Sequence, residues 1–565
     1  MYIIASMRKI SAYWPELIVS IVFLAIVLGM ALIAASHNGG KFIYDLDDSY
    51  IHMALAKNLV KYHVWGVYGN EFTSVSSSLL WTITIYLNYL VFGINELSPF
   101  ILNLLFALGT IFLSGFILSR FKISGSAKLI ILAAIVFIAP MPALPFSGLE
   151  HMAHLMLTIA YIFMAGKALS YSSSGINHTW DDYRKYRYAM YVLAPVLVMA
   201  RYEGLFLLGM VSLLLLFRKK ILAAVINAIL GVLPISVFGF YAVYRGWYFL
   251  PNSVMMKGNM PDFGSALHLL RYPATFIVHL INYPHLLIIL AVILGILYLR
   301  LNRTHSLWDE FNMLLLLFAG MTLLHAQFAS SGWLYRYESY LMGTGILIIG
   351  VVITGGGLKL SELSSLRRGY FPQIVLVLTI FIIAAPALKR GYNSITDVVQ
   401  VTSDIYGEQY QTARFLNKYY ADEPVAVNDL GVVNFYSNIK CVDLLGLGNR
   451  EIGEARVKFT YNSDFIERIC RENDVSLAVL NEEIFRLANI GGVPKSWIAV
   501  ARWKMAGGTV YDDDHWTFYA IDKAKARQLV QNLKDFSSCL PSGVKQTWLY
   551  IESEDTKVLP AVSNK

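Results

Sequence analysis

Three aspartates near the start of the chain, in the segment "DLDDSYIH" (45–52), are the first residues whose types and spacing suggest chemistry. A positioned carboxylate can remove a proton from a reacting hydroxyl group and contribute about 10²–10⁴-fold to a rate. Asp47 and Asp48 are adjacent, so on a helix their side chains point about 100° apart and cannot face one atom. We therefore expect one of them to be a general base and the other to orient an acceptor, a helix cap or a metal ion. The sequence leaves open which is which.

Charged and small polar residues also gather in later segments. These segments are "TSVSSSLLW" (73–81), "SGLEH" (147–151), "RYEG" (201–204), "LPNSVMMKG" (250–258) and "WLYRYESY" (333–340). Their basic residues include Arg201, Lys257 and Arg336, and their acids include Glu150 and Glu203. A solvated surface needs no such arrangement, whereas a catalytic cleft does. We therefore expect the segments to converge on one pocket.

Most of the chain must dissolve in lipid, because 56% of its 565 residues are hydrophobic and only 15% are charged. Soluble domains carry about 25% charged residues. Apolar runs of bilayer-spanning length predict about eleven transmembrane helices. The runs lie near 14–35, 99–119, 129–146, 150–168, 189–217, 220–246, 274–300, 310–328, 340–357 and 370–388. Lys and Arg in cytoplasmic loops explain the net charge of +8, so no nucleic-acid partner is expected.

The positive-inside rule decides two ambiguous runs. The run 77–93 is interpreted as a re-entrant or surface-lying helix, because a full crossing would place the basic loop 120–128 outside. The run 191–220 is interpreted as a hairpin of two short helices broken at "RYEG". One straight helix would place Arg201 and Glu203 near the middle of the membrane, at a cost of about 2.5–3.5 kcal/mol for each charge. The resulting topology has 17 Lys and Arg in inner loops and 8 in outer loops, with the N-terminus in the cytoplasm and the polar segments outside.

Beyond residue 390 short strand-like stretches alternate with amphipathic helices, which predicts a soluble α/β domain on the outer side. The predicted strands are "EPVAVNDLG", "KCVDLLGL", "VSLAVL" and "HWTFYAID". All three cysteines, Cys441, Cys470 and Cys539, fall in this part of the chain. One disulfide is permitted outside the cytoplasm, and an odd count leaves one thiol over.

Taken in order, the polar segments resemble those of the GT-C glycosyltransferases. The stretch from "DLDDSYIH" to "SSLLW" (45–81) resembles the first outer loop of the branch that contains the mycobacterial terminal arabinofuranosyltransferases. "SGLEH", "RYEGL" and "LPNSVMMK" are similar to that branch's S/T-G-L-E, R-P-E-G-L and L-P-N-T-x-x-x-K, and "VAVNDLGVVNFYSNIKCVDLLGL" (425–447) to the opening of its outer domain. Tyr202 and Leu80 stand where the branch has proline.

The resemblance implies a polytopic α-helical membrane protein of the GT-C type with a C-terminal soluble α/β domain. The transmembrane catalytic module would span 1–390, with the acidic motif and the re-entrant helix in the outer loop 37–98, and the extracytoplasmic domain would span 391–565. It also implies a sugar donor carried on polyprenyl phosphate. Phosphate is a fair leaving group, so Asp47 or Asp48 is needed mainly as a base for the acceptor, and a cation is needed for the phosphate. The expected donor-binding residues are Arg336, Arg201, Lys257, Glu150, Glu203, His52, His151 and Asn252.

The expected activity is transfer of a sugar, arabinofuranose by resemblance, to a cell-envelope glycan, a lipid-linked saccharide or a surface protein such as a pilin. The expected location is a bacterial inner membrane, with the C-terminal domain in the periplasm. A divalent ion (Mg, Mn or Ca) is left open, since Asp48, Glu150 and His151 are suitable ligands. Two other functions are left open: a transporter or flippase of a lipid-linked sugar, and a non-catalytic glycan-binding scaffold. Transporters often carry inverted repeats, and no repeat is evident in this sequence.

Overall fold

The computed structural model describes residues 13–170, 180–257, 266–302, 306–357, 370–487, 492–505 and 515–550. The chain divides into two compact units, Met1–Ser403 and Asp404–Lys565. In the described residues the first unit is helical, and the second combines helices with a β-sheet.

The helical unit consists of apolar helices joined by short polar segments. Its helices are α1 (Trp14–His37), α2 (Asp47–Tyr62), α3 (Leu79–Phe92), α4 (Ser98–Arg120), α5 (Gly125–Ile138), α6 (His151–Ser170), α7 (Trp180–Ala200), α8 (Gly204–Phe217), α9 (Ile221–Tyr244), α10 (Asn252–Lys257), α11 (Ala266–Asn282), α12 (Pro284–Leu301), α13 (Glu310–Phe328), α14 (Ser339–Thr354) and α15 (Tyr370–Ile405). Within the described ranges six of them, α1, α4, α6, α9, α12 and α13, are long and apolar enough to cross a membrane. Helices α3, α5, α8 and α14 are shorter and also apolar.

The helix break predicted at "RYEG" is present. Helix α7 ends at Ala200 and α8 begins at Gly204. A side chain at Gly204 would meet the Leu197 carbonyl oxygen at 2.9 Å, so glycine allows the close approach of the two helix ends. Tyr202 fills the place of a proline, and the break is fixed by the ion pairs of Arg201 described below.

One predicted apolar run is divided between two helices, and the second of them is long and apolar enough to cross a membrane. The run 274–300 was expected to form a single helix, but α11 ends at Asn282 and α12 begins at Pro284. Proline lacks an N–H group and has a fixed φ, so it suits the first turn of a new helix better than a helix interior. The other ambiguous run, 77–93, contains the 14-residue helix α3, which is about 21 Å long. Its re-entrant placement stays a prediction.

Two ion pairs, one buried and one half-buried, join helix ends within the helical unit. Lys128 at the start of α5 contacts Glu16 at the start of α1 at 2.6 Å. Lys167 near the end of α6 contacts Glu310 at the start of α13 at 2.8 Å. The sequence-based topology assigns both lysines to the inner side, and that assignment stays a prediction.

The second unit is built on a six-stranded mixed sheet. Its strands are β1 (Pro424–Val427), β2 (Lys440–Asp443), β3 (Leu477–Asn481), β4 (Ile498–Met505), β5 (Trp516–Ala520) and β6 (Val544–Trp548). They are ordered β2-β1-β3-β5-β4-β6, with β1 parallel to β2 and β3 and the remaining pairs antiparallel. Its helices are α16 (Gln411–Tyr419), α17 (Gly431–Tyr436), α18 (Arg450–Val457), α19 (Ser463–Glu472), α20 (Glu482–Leu487) and α21 (Lys523–Phe536).

Helices cover both faces of this sheet. One core contains Phe415 of α16 and Phe536 of α21, and the other contains Ile452 of α18 and Ile466 of α19. The predicted α/β architecture is therefore confirmed, although β4 and β6 were not predicted. The three cysteines are free thiols, so the permitted disulfide is not formed.

Candidate functional site

The acidic motif forms the first turn of α2. Asp47 and Asp48 open this helix, where the positive end of the helix dipole stabilises negative side chains. Ser49 holds the turn, since its Oγ donates to the Leu46 carbonyl at 2.6 Å. Asp48 lines a cavity, whereas Asp47 is half-buried and is not among the residues that line it. The two neighbouring carboxylates thus have different surroundings.

Arg336 also lines this cavity and pairs directly with Asp48. It lies in the segment between α13 and α14 and is only 1% exposed. Its Nη2 donates to Asp48 Oδ2 at 2.8 Å and to the Tyr337 hydroxyl at 3.0 Å. Its Nε and Nη1 are buried and donate to no partner among the described residues. A guanidinium with N–H groups left over is suited to bind an anion through charge-assisted hydrogen bonds.

All three guanidinium nitrogens of Arg201, in contrast, donate to carboxylates. Its Nη1 donates to Glu150 at 2.5 Å, and its Nε and Nη2 donate to Glu203 at 3.1 and 2.6 Å. The His151 Nε2 lies 3.5 Å from Arg201 Nη1. Burial opposes the charge of Glu203, but Arg201 outweighs that effect and holds the pKa of Glu203 at about 2. This cluster brings together four predicted residues and ties the α7–α8 break to the start of α6.

The cavity has a volume of about 290 Å³ and is lined by both charged and apolar residues. The charged lining residues are Asp48, Arg201, Glu203 and Arg336. The apolar ones include Leu149, Leu205, Phe206, Leu250, Val254 and Phe328. The predicted segments therefore converge on one pocket, and that pocket matches a ligand with an anionic group attached to an apolar chain.

The other predicted residues either do not line this cavity or have side chains outside the described part of the chain. His52 is buried, with its Nδ1 2.8 Å from the Thr82 hydroxyl, so it packs α2 against α3. Asn252 is buried, and its backbone N–H donates to the Ser74 carbonyl at 2.9 Å. Lys257 is the last residue of α10, and its side chain lies outside the described residues.

The carboxylates of the site are engaged with arginines. Among the described residues no group of three or more His, Cys, Asp and Glu side chains is arranged to hold a metal ion. Asp48 pairs with Arg336 and Glu150 pairs with Arg201. The metal site considered from the sequence, with Asp48, Glu150 and His151 as ligands, is therefore not assembled in this arrangement.

Tyr337 is a site residue that the sequence reasoning missed. Its ring centre is 4.7 Å from the Arg336 guanidinium carbon and 5.5 Å from that of Arg201, which is within the range of cation–π attraction. Tyr337 also lines the cavity. Its position next to Arg336 in "WLYRYESY" was the available signal.

Asp45 gives the site a pH-dependent element. It is buried just before α2. Burial raises its pKa from 3.8 to about 7, although Arg336 opposes the rise. Between pH 3.8 and about 7 the folded protein therefore retains a proton on Asp45 that the unfolded chain has lost. Because the native state binds more protons in this range, the free energy of unfolding falls as the pH rises. The stability that is fully present below pH 3.8 is lost by about pH 7.

Replacing Asp45 with Asn should therefore flatten the decline of thermal stability between about pH 4 and about pH 7. The measurement is the melting temperature of the purified protein in detergent across that range. Asp47→Asn is the matched control, because it removes a half-buried carboxylate two residues away and should leave the slope unchanged. Equal slopes for Asp45→Asn and the wild type would contradict the assignment.

Comparison with known structures identifies the fold. The chain is similar to the crystal structure of ArnT from Cupriavidus metallidurans bound to undecaprenyl phosphate, with a TM-score of 0.51, 11% identity and coverage of 89% of this chain and 98% of that one. It is also similar to the apo oligosaccharyltransferase of Archaeoglobus fulgidus, with a TM-score of 0.51, 13% identity and coverage of 87% and 73%. At these identities the likeness concerns the fold alone. The predicted fold class, a polytopic helical membrane protein of the GT-C type with a C-terminal sheet-containing domain, is confirmed.

Comparisons by sequence are less informative. A family model described as a domain of unknown function (DUF8728) matches residues 400–519. No curated protein matches the chain. The matched residues cover most of the sheet-containing unit.

Proposed function

We propose that this chain is a membrane glycosyltransferase that moves a sugar from a polyprenyl-phosphate donor to a hydroxyl group of an acceptor. The GT-C-type fold supports this proposal. So does the ligand of one structural neighbour, ArnT, which is bound to undecaprenyl phosphate. The observation that carries the proposal is the state of Arg336.

Arg336 is a buried cation with unmet hydrogen-bonding capacity. Its Nε and Nη1 have no partner among the described residues, and leaving such donors buried and unbonded is costly. Phosphate oxygens are strong acceptors for such charged donors. The apolar lining residues, among them Phe206, Leu250 and Phe328, would accommodate the first isoprene units of a lipid. A free sugar phosphate has no apolar chain to bury against these residues.

The reaction can be assigned to two side chains that line the cavity. The acceptor oxygen bonds to the anomeric carbon while the bond between that carbon and the phosphate oxygen breaks. The electron pair leaves with the phosphate, which Arg336 stabilises as negative charge develops. The acceptor proton passes to the Asp48 carboxylate. The products are a glycoside and polyprenyl phosphate, and no further reactant is required.

The sequence motifs support a finer proposal for the substrates. Their resemblance to the terminal arabinofuranosyltransferases favours arabinofuranose as the sugar. The acceptor would be a cell-envelope glycan, a lipid-linked saccharide or a surface glycoprotein such as a pilin. The distribution of Lys and Arg favours an inner membrane location with the cavity on the outer side.

The direct test is to supply the purified full chain, in lipid nanodiscs, with polyprenyl-phosphoryl arabinofuranose and a simple arabinoside acceptor. We expect mass spectrometry to detect both a new glycoside and free polyprenyl phosphate. A polyprenyl-phosphoryl hexose serves as the comparison for sugar specificity. In a parallel assay, the chain is reconstituted in liposomes. Movement of the intact donor from one leaflet of the liposome membrane to the other, without cleavage, would overturn the proposal in favour of a flippase. Binding of glycan with neither cleavage nor movement would favour a scaffold.

A further inference from the structure

The segment that presents Arg336 has an unusual backbone. Gly332, Trp333, Leu334 and Tyr335 have φ values of 84°, 30°, 52° and 66°. Residues with side chains disfavour this left-handed region, and a run of them persists only where the surroundings hold it. Position 332 also requires glycine, because a Cβ there would lie 2.9 Å from the Tyr283 ring. The turn before Arg336 must therefore be stabilised from outside.

Glu338 supplies much of that stabilisation. It is fully buried, and its Oε2 accepts the Gly332 N–H at 2.9 Å. Its Oε1 accepts from Arg390 Nη2 at 2.6 Å and lies 3.2 Å from His285 Nε2. One carboxylate thus connects the start of the turn to α15 and α12.

Arg390 completes the connection at the other end of the turn. Its Nη2 also donates to the Tyr335 carbonyl at 2.5 Å, and its guanidinium carbon lies 5.4 Å from the centre of the Tyr335 ring. The Tyr335 hydroxyl donates to Asp397, which follows Arg390 on α15 about two helical turns later. Both ends of the left-handed turn, at Gly332 and at Tyr335, are therefore held by the Glu338–Arg390 pair.

We propose that Glu338 is a positioning residue, which acts through Arg390 and the turn 332–335 to hold Arg336 in the lining of the cavity, in position to bind an anion there. Neither Glu338 nor Arg390 lines the cavity, so neither touches the ligand. The proposal rests on the proposed function for the identity of that anion, the phosphate of a polyprenyl lipid. The positioning of Arg336 by Glu338 does not depend on which anion binds.

A purely structural role is the competing explanation, because removing one partner of a buried ion pair destabilises a protein wherever the pair lies. The chain offers a matched control. Glu16 is also a fully buried glutamate paired with a single basic side chain, Lys128 at 2.6 Å. It lies at the other end of the helical unit, so Glu16→Gln removes the same charge without affecting the turn.

The experiment compares Glu338→Gln and Glu16→Gln in the full chain, with undecaprenyl phosphate as the probe. Glu338→Gln should weaken binding by at least about tenfold, whereas Glu16→Gln should stay within about twofold of the wild type. Both variants should lose thermal stability. Arg390→Lys is the second variant; it keeps the charge but cannot hold Glu338 and Tyr335 together, and should weaken binding in the same direction. Binding by Glu338→Gln equal to that by Glu16→Gln would overturn the proposal.

A second measurement does not depend on the ligand. Modification of Arg336 by phenylglyoxal, mapped by mass spectrometry, should be faster in Glu338→Gln than in the wild type or in Glu16→Gln, because the relaxed turn exposes the guanidinium. An unchanged rate would reject the positioning role. If the rate rises but the wild type does not bind undecaprenyl phosphate, the positioning role stands and the proposed donor class is wrong.

Discussion

Asp48→Asn should abolish sugar transfer almost completely, with a loss of about 10²–10⁴-fold in the rate of turnover. The amide keeps the shape of the side chain but cannot accept a proton from the acceptor hydroxyl. The measurement is the rate of glycoside formation from a polyprenyl-phosphoryl sugar. Binding of undecaprenyl phosphate, measured in parallel, should persist, because Arg336 Nε and Nη1 do not depend on Asp48 for their availability.

Asp47→Asn is the matched control for this prediction. It makes the same chemical change one position earlier in the same helical turn, on a side chain that is not among those lining the cavity. Its rate should fall by less than about tenfold. If Asp47→Asn lost as much activity as Asp48→Asn, or if only Asp47→Asn lost activity, the base would have to be reassigned.

Arg336→Lys should lower turnover by about 10²–10³-fold, the range typical of losing one preorganised donor to a developing negative charge. Lysine keeps the positive charge but offers a single point of contact, so the paired hydrogen bonds to a phosphate are lost. The measurement is again glycoside formation, combined with binding of undecaprenyl phosphate, which should weaken as well.

Arg300→Lys provides the control for Arg336→Lys. Arg300 is equally buried and bonds to Asn312 at 2.7 Å, but it is not among the residues that line the cavity. Its replacement should lower thermal stability and leave turnover by the folded fraction close to that of the wild type. Full activity of Arg336→Lys would contradict a phosphate-binding role.

Much of the fold was predictable from the sequence because hydrophobic length and charge placement are local signals. The break at Arg201 could be inferred from the cost of burying charges in a long apolar run. The break at Pro284 was missed because the apolar pattern continues across it. Strands β4 and β6 were missed for a related reason. They pair antiparallel with each other, and a partner distant in sequence, more than local composition, decides whether such stretches become strands.

The candidate site was predictable only in part. The convergence of Asp48 and Arg336 followed from placing polar segments on one side of a membrane. The sequence could not decide between Asp47 and Asp48, because that choice depends on how α2 is rotated. It also could not distinguish the partly bonded guanidinium of Arg336 from the fully engaged one of Arg201. Glu338 was overlooked because its partner Arg390 is distant in sequence, at the boundary of the predicted tail.

The pairing of Asp48 with Arg336 has a consequence for the end of the catalytic cycle. A donor phosphodiester carries one negative charge, whereas the released phosphate monoester approaches two near neutral pH, with a second pKa of about 6. Immediately after transfer Asp48 holds the acceptor proton and is neutral, so Arg336 and the spent lipid carrier attract each other strongly. When that proton escapes to water, the restored carboxylate repels the dianion beside it. Product departure is thus expected to wait for the proton to leave, and each turnover then ends with the electrostatic balance of the empty pocket restored.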